Sequence, residues 1–271
     1  MMVEQEDTML SKALAFYRKL LEEYSHHVEW MRRAGISSGD HHDQQLVIGM
    51  LAISNYNSGK SMLALYEAGQ GDQTLIFVRS QFEQAAKAEY FAKHKARARD
   101  FLDLEPFERY KLTQGYKIRD ALRSVIVSEC KKAVRNNPRL LRHQSEKSKG
   151  AARADFLAIR QALKPPSMEQ LLKTLKWDPA LYVTIFLFGS LRIHGSINDL
   201  RDFFEQNADG SITFAPEQDL QGPPDYLLQS SAYLVGFIGK IAEWFPGAGR
   251  QAQALSLRDE LSALAKELGI K

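Results

Sequence analysis

Cysteine is almost missing from this sequence: Cys130 is the single thiol in 271 residues. A lone thiol excludes an internal disulfide and a cysteine-built zinc site, and it suits a reducing cytoplasm. Long apolar runs are missing as well. The most apolar stretch, Leu181 to Ile193, falls short of the roughly 20 residues a membrane helix needs and is interrupted by Gly189, Ser190 and Arg192. No membrane partner is expected. The acidic opening MMVEQEDTML does not read as a signal peptide. Glycine-rich phosphate loops and Ser-His-Asp patterns are absent, which removes the commonest nucleotidase and hydrolase signatures. Alternating strand patterns are nearly absent, and no internal repeat shows.

What is present is helical. Apolar spacing and capping residues predict helices over 8–33, 41–68, 74–94, 106–134, 151–163, 167–176, 178–206, 222–245 and 251–268. Ser211-Ile212-Thr213-Phe214 reads as a short extended piece after the Asp209-Gly210 turn. The expectation is an all-α protein, one irregular bundle of about eight or nine helices in a single domain over 1–271, with a C-terminal helical pair at 222–268. The middle of the second helix, Ser54 to Lys60, is small and polar. Such residues either permit close packing or line a wet groove.

Charge is unevenly spread. The chain carries a net +3, yet Lys87 to Lys164 holds 20 Lys or Arg against 9 Asp or Glu, a local +11 that leaves −8 for the rest. A polyanion-binding face produces this pattern; so does a solvated helical surface with basic loops. Around the Pro138 break lie Arg135, Arg139, Arg142, Lys147, Lys149 and Arg153, candidate contacts to a nucleic-acid backbone.

The stretch Thr74 to His94 is the expected centre of the bundle. Turned about 100° per residue, Leu75, Val78, Phe82, Ala85, Ala86 and Glu89 fall on one arc. Arg79 and Glu83 flank that arc four residues apart, close enough to pair. Further on, Ser190 and His194 share a helix face, with Asn198 one turn beyond. A hydroxyl on one imidazole nitrogen leaves the other for proton transfer or a phosphate. A packed histidine bonded to its neighbours is the other reading.

The histidine pairs His26-His27 and His41-His42 diverge by about 100° within each pair, unlike the i, i+4 pairs that chelate, so no metal and no cofactor is expected. They read as solvated helix ends. Cys130 precedes Lys131-Lys132, a setting that lowers a thiol's pKa.

Arg79-Ser80-Gln81-Phe82-Glu83, then Phe101-Leu102-Asp103-Leu104 and Arg109-Tyr110-Lys111-Leu112, resemble the bacterial domain-of-unknown-function family numbered 5677. Members share a late Tyr-x-x-x-Ser-x-x-x-His; here Ser190 and His194 match it and Phe186 stands at the tyrosine. The resemblance covers about 44–204. More distantly the chain resembles the helical nucleotide-binding domains shared by higher eukaryotes and prokaryotes. Many of these are metal-independent ribonucleases of toxin and defence systems, with sites paired across a homodimer. Their arginine position is taken here by Leu187, Phe188 and Gly189, so Arg79 would supply the cation. The resemblance implies an RNA or nucleotide partner. Arg79 would hold a phosphate, Glu83 would orient Arg79, and His194 would act as general acid or base with Ser190 holding its ring. The alternative is a non-catalytic interaction or scaffold protein in which Arg79, Glu83 and His194 form a buried structural network.

Overall fold

Ala13, Tyr17, Leu20 and Tyr24 recur at helical spacing, and in the computed structural model they form the buried stripe of the first helix. The structure describes residues 2–36, 38–115, 119–143, 155–178, 180–181, 183, 204–206, 212–214, 222–245 and 251–269. Among these residues the helices are α1 (Met2–Ala34), α2 (His42–Glu67), α3 (Leu75–Lys93), α4 (Lys95–Asp103), α5 (Glu105–Gly115), α6 (Asp120–Asn136), α7 (Phe156–Leu163), α8 (Met168–Leu175), α9 (Pro224–Trp244) and α10 (Gln251–Glu267). The fold is all-α and multi-helical, as expected. By Cα proximity the chain forms two compact units, Met1–Tyr90 with Met168–Lys271, and Phe91–Ser167.

In the first unit α9 packs against α1, α2 and α10. The sequence reading puts α3 at the centre; among the described elements α1, α2 and α9 each pack on the other two. Periodicity says which face of a helix is covered, but not by how many elements. The close fit rests on Gly59 in α2. A Cβ there would lie 2.9 Å from Leu21 Cδ2, 3.2 Å from the Tyr17 hydroxyl oxygen and 3.3 Å from Leu234 Cδ2. Beside it the Tyr17 hydroxyl is 2.6 Å from Ser230 Oγ, and the Tyr24 hydroxyl donates to the Ala52 carbonyl at 2.9 Å. On another face of α2, Ser54, Asn57 and Ser61 line an open groove with Met50, Ile53 and Phe77. Both readings of the small polar stretch therefore hold, on different faces.

A short strand pair completes the described part of this unit. Strand β1 (Phe204–Gln206) runs antiparallel to β2 (Ile212–Phe214), with Phe204 opposite Phe214 and Glu205 opposite Thr213. The extended piece expected at Ser211 to Phe214 is thus β2. The helix expected to run through Gln206 does not, because Phe204 to Gln206 are strand, where aromatic and β-branched residues fit a pleated pair.

The second unit gathers α4 to α7 around Phe107, Cys130, Leu140, Ile159 and Leu163. Three sequence expectations change here. The single helix over 106–134 is two, α5 and α6. Lys95–Asp103 forms a helix that the sequence reading left unassigned. The helix expected from Ala151 begins at Phe156, because the Asp155 carboxylate accepts from the Ala158 amide at 3.0 Å and caps it.

Candidate functional site

The stripe read from α3 is buried at Leu75, Val78, Phe82 and Ala86, and Arg79 and Glu83 flank it half-buried. Glu83 accepts from Lys87 Nζ at 2.6 Å, an i, i+4 pair with both side chains about a third exposed or less. Lys87, on the next turn, is thus a cationic partner of Glu83 that the sequence reading does not include. Ser190 and His194 lie outside the described residues, as do Lys147, Lys149 and Arg153.

The second unit separates its cations into two sets. One set is held internally. Arg139 Nη2 reaches Asp100 Oδ1 at 3.0 Å and Asp103 Oδ2 at 2.9 Å, with both aspartates nearly buried. Asn137 donates to the same Asp103 oxygen at 2.7 Å. Arg97 donates to Asp100 at 2.8 Å and to the Ala162 and Lys164 carbonyls at 3.2 and 2.6 Å. These bonds tie α4 to the turn after α6 and to the end of α7. Arg109 pairs with Glu105 and Glu129, and Arg160 with Glu108. Of the residues proposed to touch nucleic acid, Arg139 is thus the clasp of a half-buried network.

The other set faces solvent. Arg135 and Arg142 are exposed, and so are Lys131 and Lys132, which share the end of α6 with Arg135. Among the described residues Lys131, Lys132 and Arg135 pair with no carboxylate, since Glu129, the nearest acid on α6, is engaged by Arg109. Local sequence shows that Lys131 and Lys132 are charged. It does not show that the acids of this unit are occupied elsewhere, so it does not single out these two lysines. Counted by unit, Phe91–Ser167 holds 19 Lys or Arg against 8 Asp or Glu, a net +11, and the remaining residues carry −8. The charge asymmetry of the sequence coincides with a structural boundary.

Two smaller expectations are overturned. Burial pushes the Cys130 thiol up to about 11, the Glu129 and Glu105 carboxylates adding to it, and its Sγ donates to the Pro106 carbonyl at 3.2 Å. Lys131 and Lys132 beside it in sequence are exposed, while the thiol is buried. His27 is not a solvated helix end: it is buried, and its Nδ1 donates to the Glu23 carbonyl at 2.9 Å. His41 packs edge-on to Trp244, with ring centroids 5.6 Å apart. Among the described residues no group of three or more His, Cys, Asp and Glu side chains is placed to hold a metal ion. No helix among them is long and apolar enough to cross a membrane.

A family model described as "Family of unknown function (DUF5677)" matches residues 45–212, from the start of α2 to β2. No curated protein and no solved structure matches the chain.

Proposed function

The chain belongs to that family of unknown function, DUF5677, and from this premise we propose that it binds single-stranded RNA through the exposed basic end of α6. The observation that carries the reading is the segregation of charge: +11 within Phe91–Ser167, with its described acids largely occupied by Arg97, Arg109, Arg139 and Arg160. Cations left over from internal pairing are the ones a phosphate backbone recruits, by releasing its condensed counterions. Lys131, Lys132, Arg135 and Arg142 would track that backbone without reading bases. Binding would therefore be tolerant of sequence. The test is anisotropy of labelled RNA 12-mers of several sequences with the full chain. Lys131→Gln, Lys132→Gln and Arg135→Gln combined should weaken all of them by a similar factor. A loss confined to one sequence would contradict backbone recognition.

Ribonuclease chemistry in a toxin or defence setting, on sites paired across a homodimer, extends the same proposal. Arg79 would hold the phosphate and His194 would move the proton, with Ser190 orienting the ring. Glu83, shared with Lys87, would buffer the charge around Arg79. RNA cleavage in the presence of a chelator, lost in His194→Ala, is the expected result; equal cleavage by that variant would leave binding without catalysis. One observation favours the non-catalytic scaffold reading: Glu83 already has a cationic partner on its own helix, as a structural residue would.

A further inference from the structure

The first unit contains a pocket that the RNA reading does not use. Its volume is about 200 Å³, and α3 contributes Ala85, Ala88 and Glu89 to it while α9 contributes Tyr233, Gly236 and Lys240, with Trp177 closing one side. Three features shape its wall.

Gly236 lies inside a 21-residue helix, where glycine costs stability, yet a Cβ there would meet nothing within 4 Å. Close packing therefore does not require the glycine; it leaves the pocket open. Lys176 sits at φ +57, the left-handed region that non-glycine residues rarely adopt. That turn ends α8, with the Trp177 amide donating to the Leu172 carbonyl at 3.0 Å, and it delivers the Trp177 indole to the pocket. Backbone strain of this kind persists where the surrounding structure uses it. Lastly, Trp177 and Tyr233 both rest on Phe82, each with ring centroids 6.0 Å from it, so the two rings are held in place before any ligand arrives.

The polar side is a charge cluster. Lys240 Nζ lies 2.7 Å from Glu89 and 3.2 Å from Glu243, and the Lys240 and Glu89 side chains are mostly buried. Burial opposes the ammonium charge, and the two carboxylates outweigh it, so Lys240 titrates above the usual lysine range. A ligand anion would meet the Glu89 carboxylate and a ligand cation would meet the Lys240 ammonium, the two charged groups in the lining; an uncharged group meets neither penalty. An ammonium has three donors, and the carboxylates take two, leaving one N–H for an acceptor on the ligand.

We propose that this pocket binds a single uncharged heteroaromatic ring, placed against Trp177 and Tyr233 over Gly236, with a ring acceptor on Lys240. The size agrees, since pockets for drug-sized ligands measure roughly 300–1,000 Å³ and this one is smaller. The ring belongs either to a free small molecule or to a base of a nucleotide, and both present the same chemistry. The site stands independently of the basic face on α6.

The test uses the full chain and follows tryptophan fluorescence during titration with nicotinamide, cytosine and, as a saturated control, cyclohexanol. Saturable quenching by the two heterocycles but not by cyclohexanol is expected. It should vanish in Trp177→Phe, which keeps Trp30 and Trp244 as internal references. Gly236→Leu fills the space and should weaken binding at least tenfold with an unchanged or higher Tm. Lys240→Met should weaken both heterocycles while sparing toluene. Competition by cytidine 5′-phosphate would identify a nucleotide source, and its absence a free ring. The combined α6 variant should leave quenching unaltered. No saturable quenching by either heterocycle, or binding undiminished in a folded Gly236→Leu, would overturn the proposal.

Discussion

Arg135 and Arg139 are four residues apart and look alike in sequence, yet the structure gives them opposite fates. Arg139 is clasped by Asp100 and Asp103, whereas Arg135 faces solvent. Arg139→Ala should cost about 1–3 kcal/mol of stability, because two nearly buried carboxylates lose a charged donor. Chemical denaturation measures this, and a change below about 0.5 kcal/mol, typical of surface sites, would contradict it. Arg135→Ala should show the reverse: stability within about 0.5 kcal/mol of wild type and weaker RNA binding. The distinction was not legible locally, since Asp100 and Asp103 come from a helix more than thirty residues earlier. Cys130 teaches the same lesson. Its folded pKa is raised from 9.0 to about 11, so between those values the unfolded chain sheds a proton that the folded chain keeps. Stability contributed by the neutral buried thiol is full below pH 9 and declines as pH rises toward 11. Replacing Cys130 with Ala should flatten the fall in stability over that window. Native protein at pH 8 should also resist iodoacetamide; rapid labelling would contradict a protonated, buried thiol.

At the scale of elements, three glycines separate packing from freedom. Gly59→Ala should destabilise the first unit by about 1 kcal/mol or more, because its new methyl meets Leu21, Tyr17 and Leu234 and outweighs the gain in helix propensity. Gly239→Ala in α9, where a Cβ meets nothing within 4 Å, should stabilise by up to about 1 kcal/mol. Gly222 is the severe case. It sits at φ +70, and a Cβ would come within 2.2 Å of the Gly71 backbone, so Gly222→Ala should cost about 3 kcal/mol or more. Thermal melts of the three variants give the order directly, and a Gly59→Ala protein more stable than Gly239→Ala would refute the packing account. Helices with clean signals were readable: Pro224 in the first turn of α9 and Gly269 at φ +71 after α10 mark ends the sequence reading placed within a residue or two. The α5–α6 break was not readable, because Gly115 is a lone glycine in a helical pattern and such a residue fits an interior as well as an end. Phe204 to Gln206 changed class because the strand depends on pairing with Ile212 to Phe214, a tertiary contact.

For the whole molecule, charge was the most legible property. The +11 counted along the sequence from Lys87 to Lys164 reappears as the +11 of the unit Phe91–Ser167. Sequence could not say which of those cations were free to act, since that depends on how the unit's acids are distributed among Arg97, Arg109, Arg139 and Arg160. The family membership was legible for a different reason: its motifs on α3 and along 101–112 are local. The central claim is that surplus cations on α6 hold an RNA backbone, and the direct measurement is a salt titration of single-stranded RNA binding. Wild type is compared with Lys131→Gln, Lys132→Gln, Arg135→Gln, and with Arg18→Gln, Lys19→Gln, Arg33→Gln on α1, an equal loss of exposed charge from the other unit. The slope of log affinity against log salt should become shallower by roughly 0.7 per lost contact in the α6 variant and stay unchanged in the α1 variant. Absence of binding by wild type at low salt, or equal slopes in all three proteins, would contradict the account.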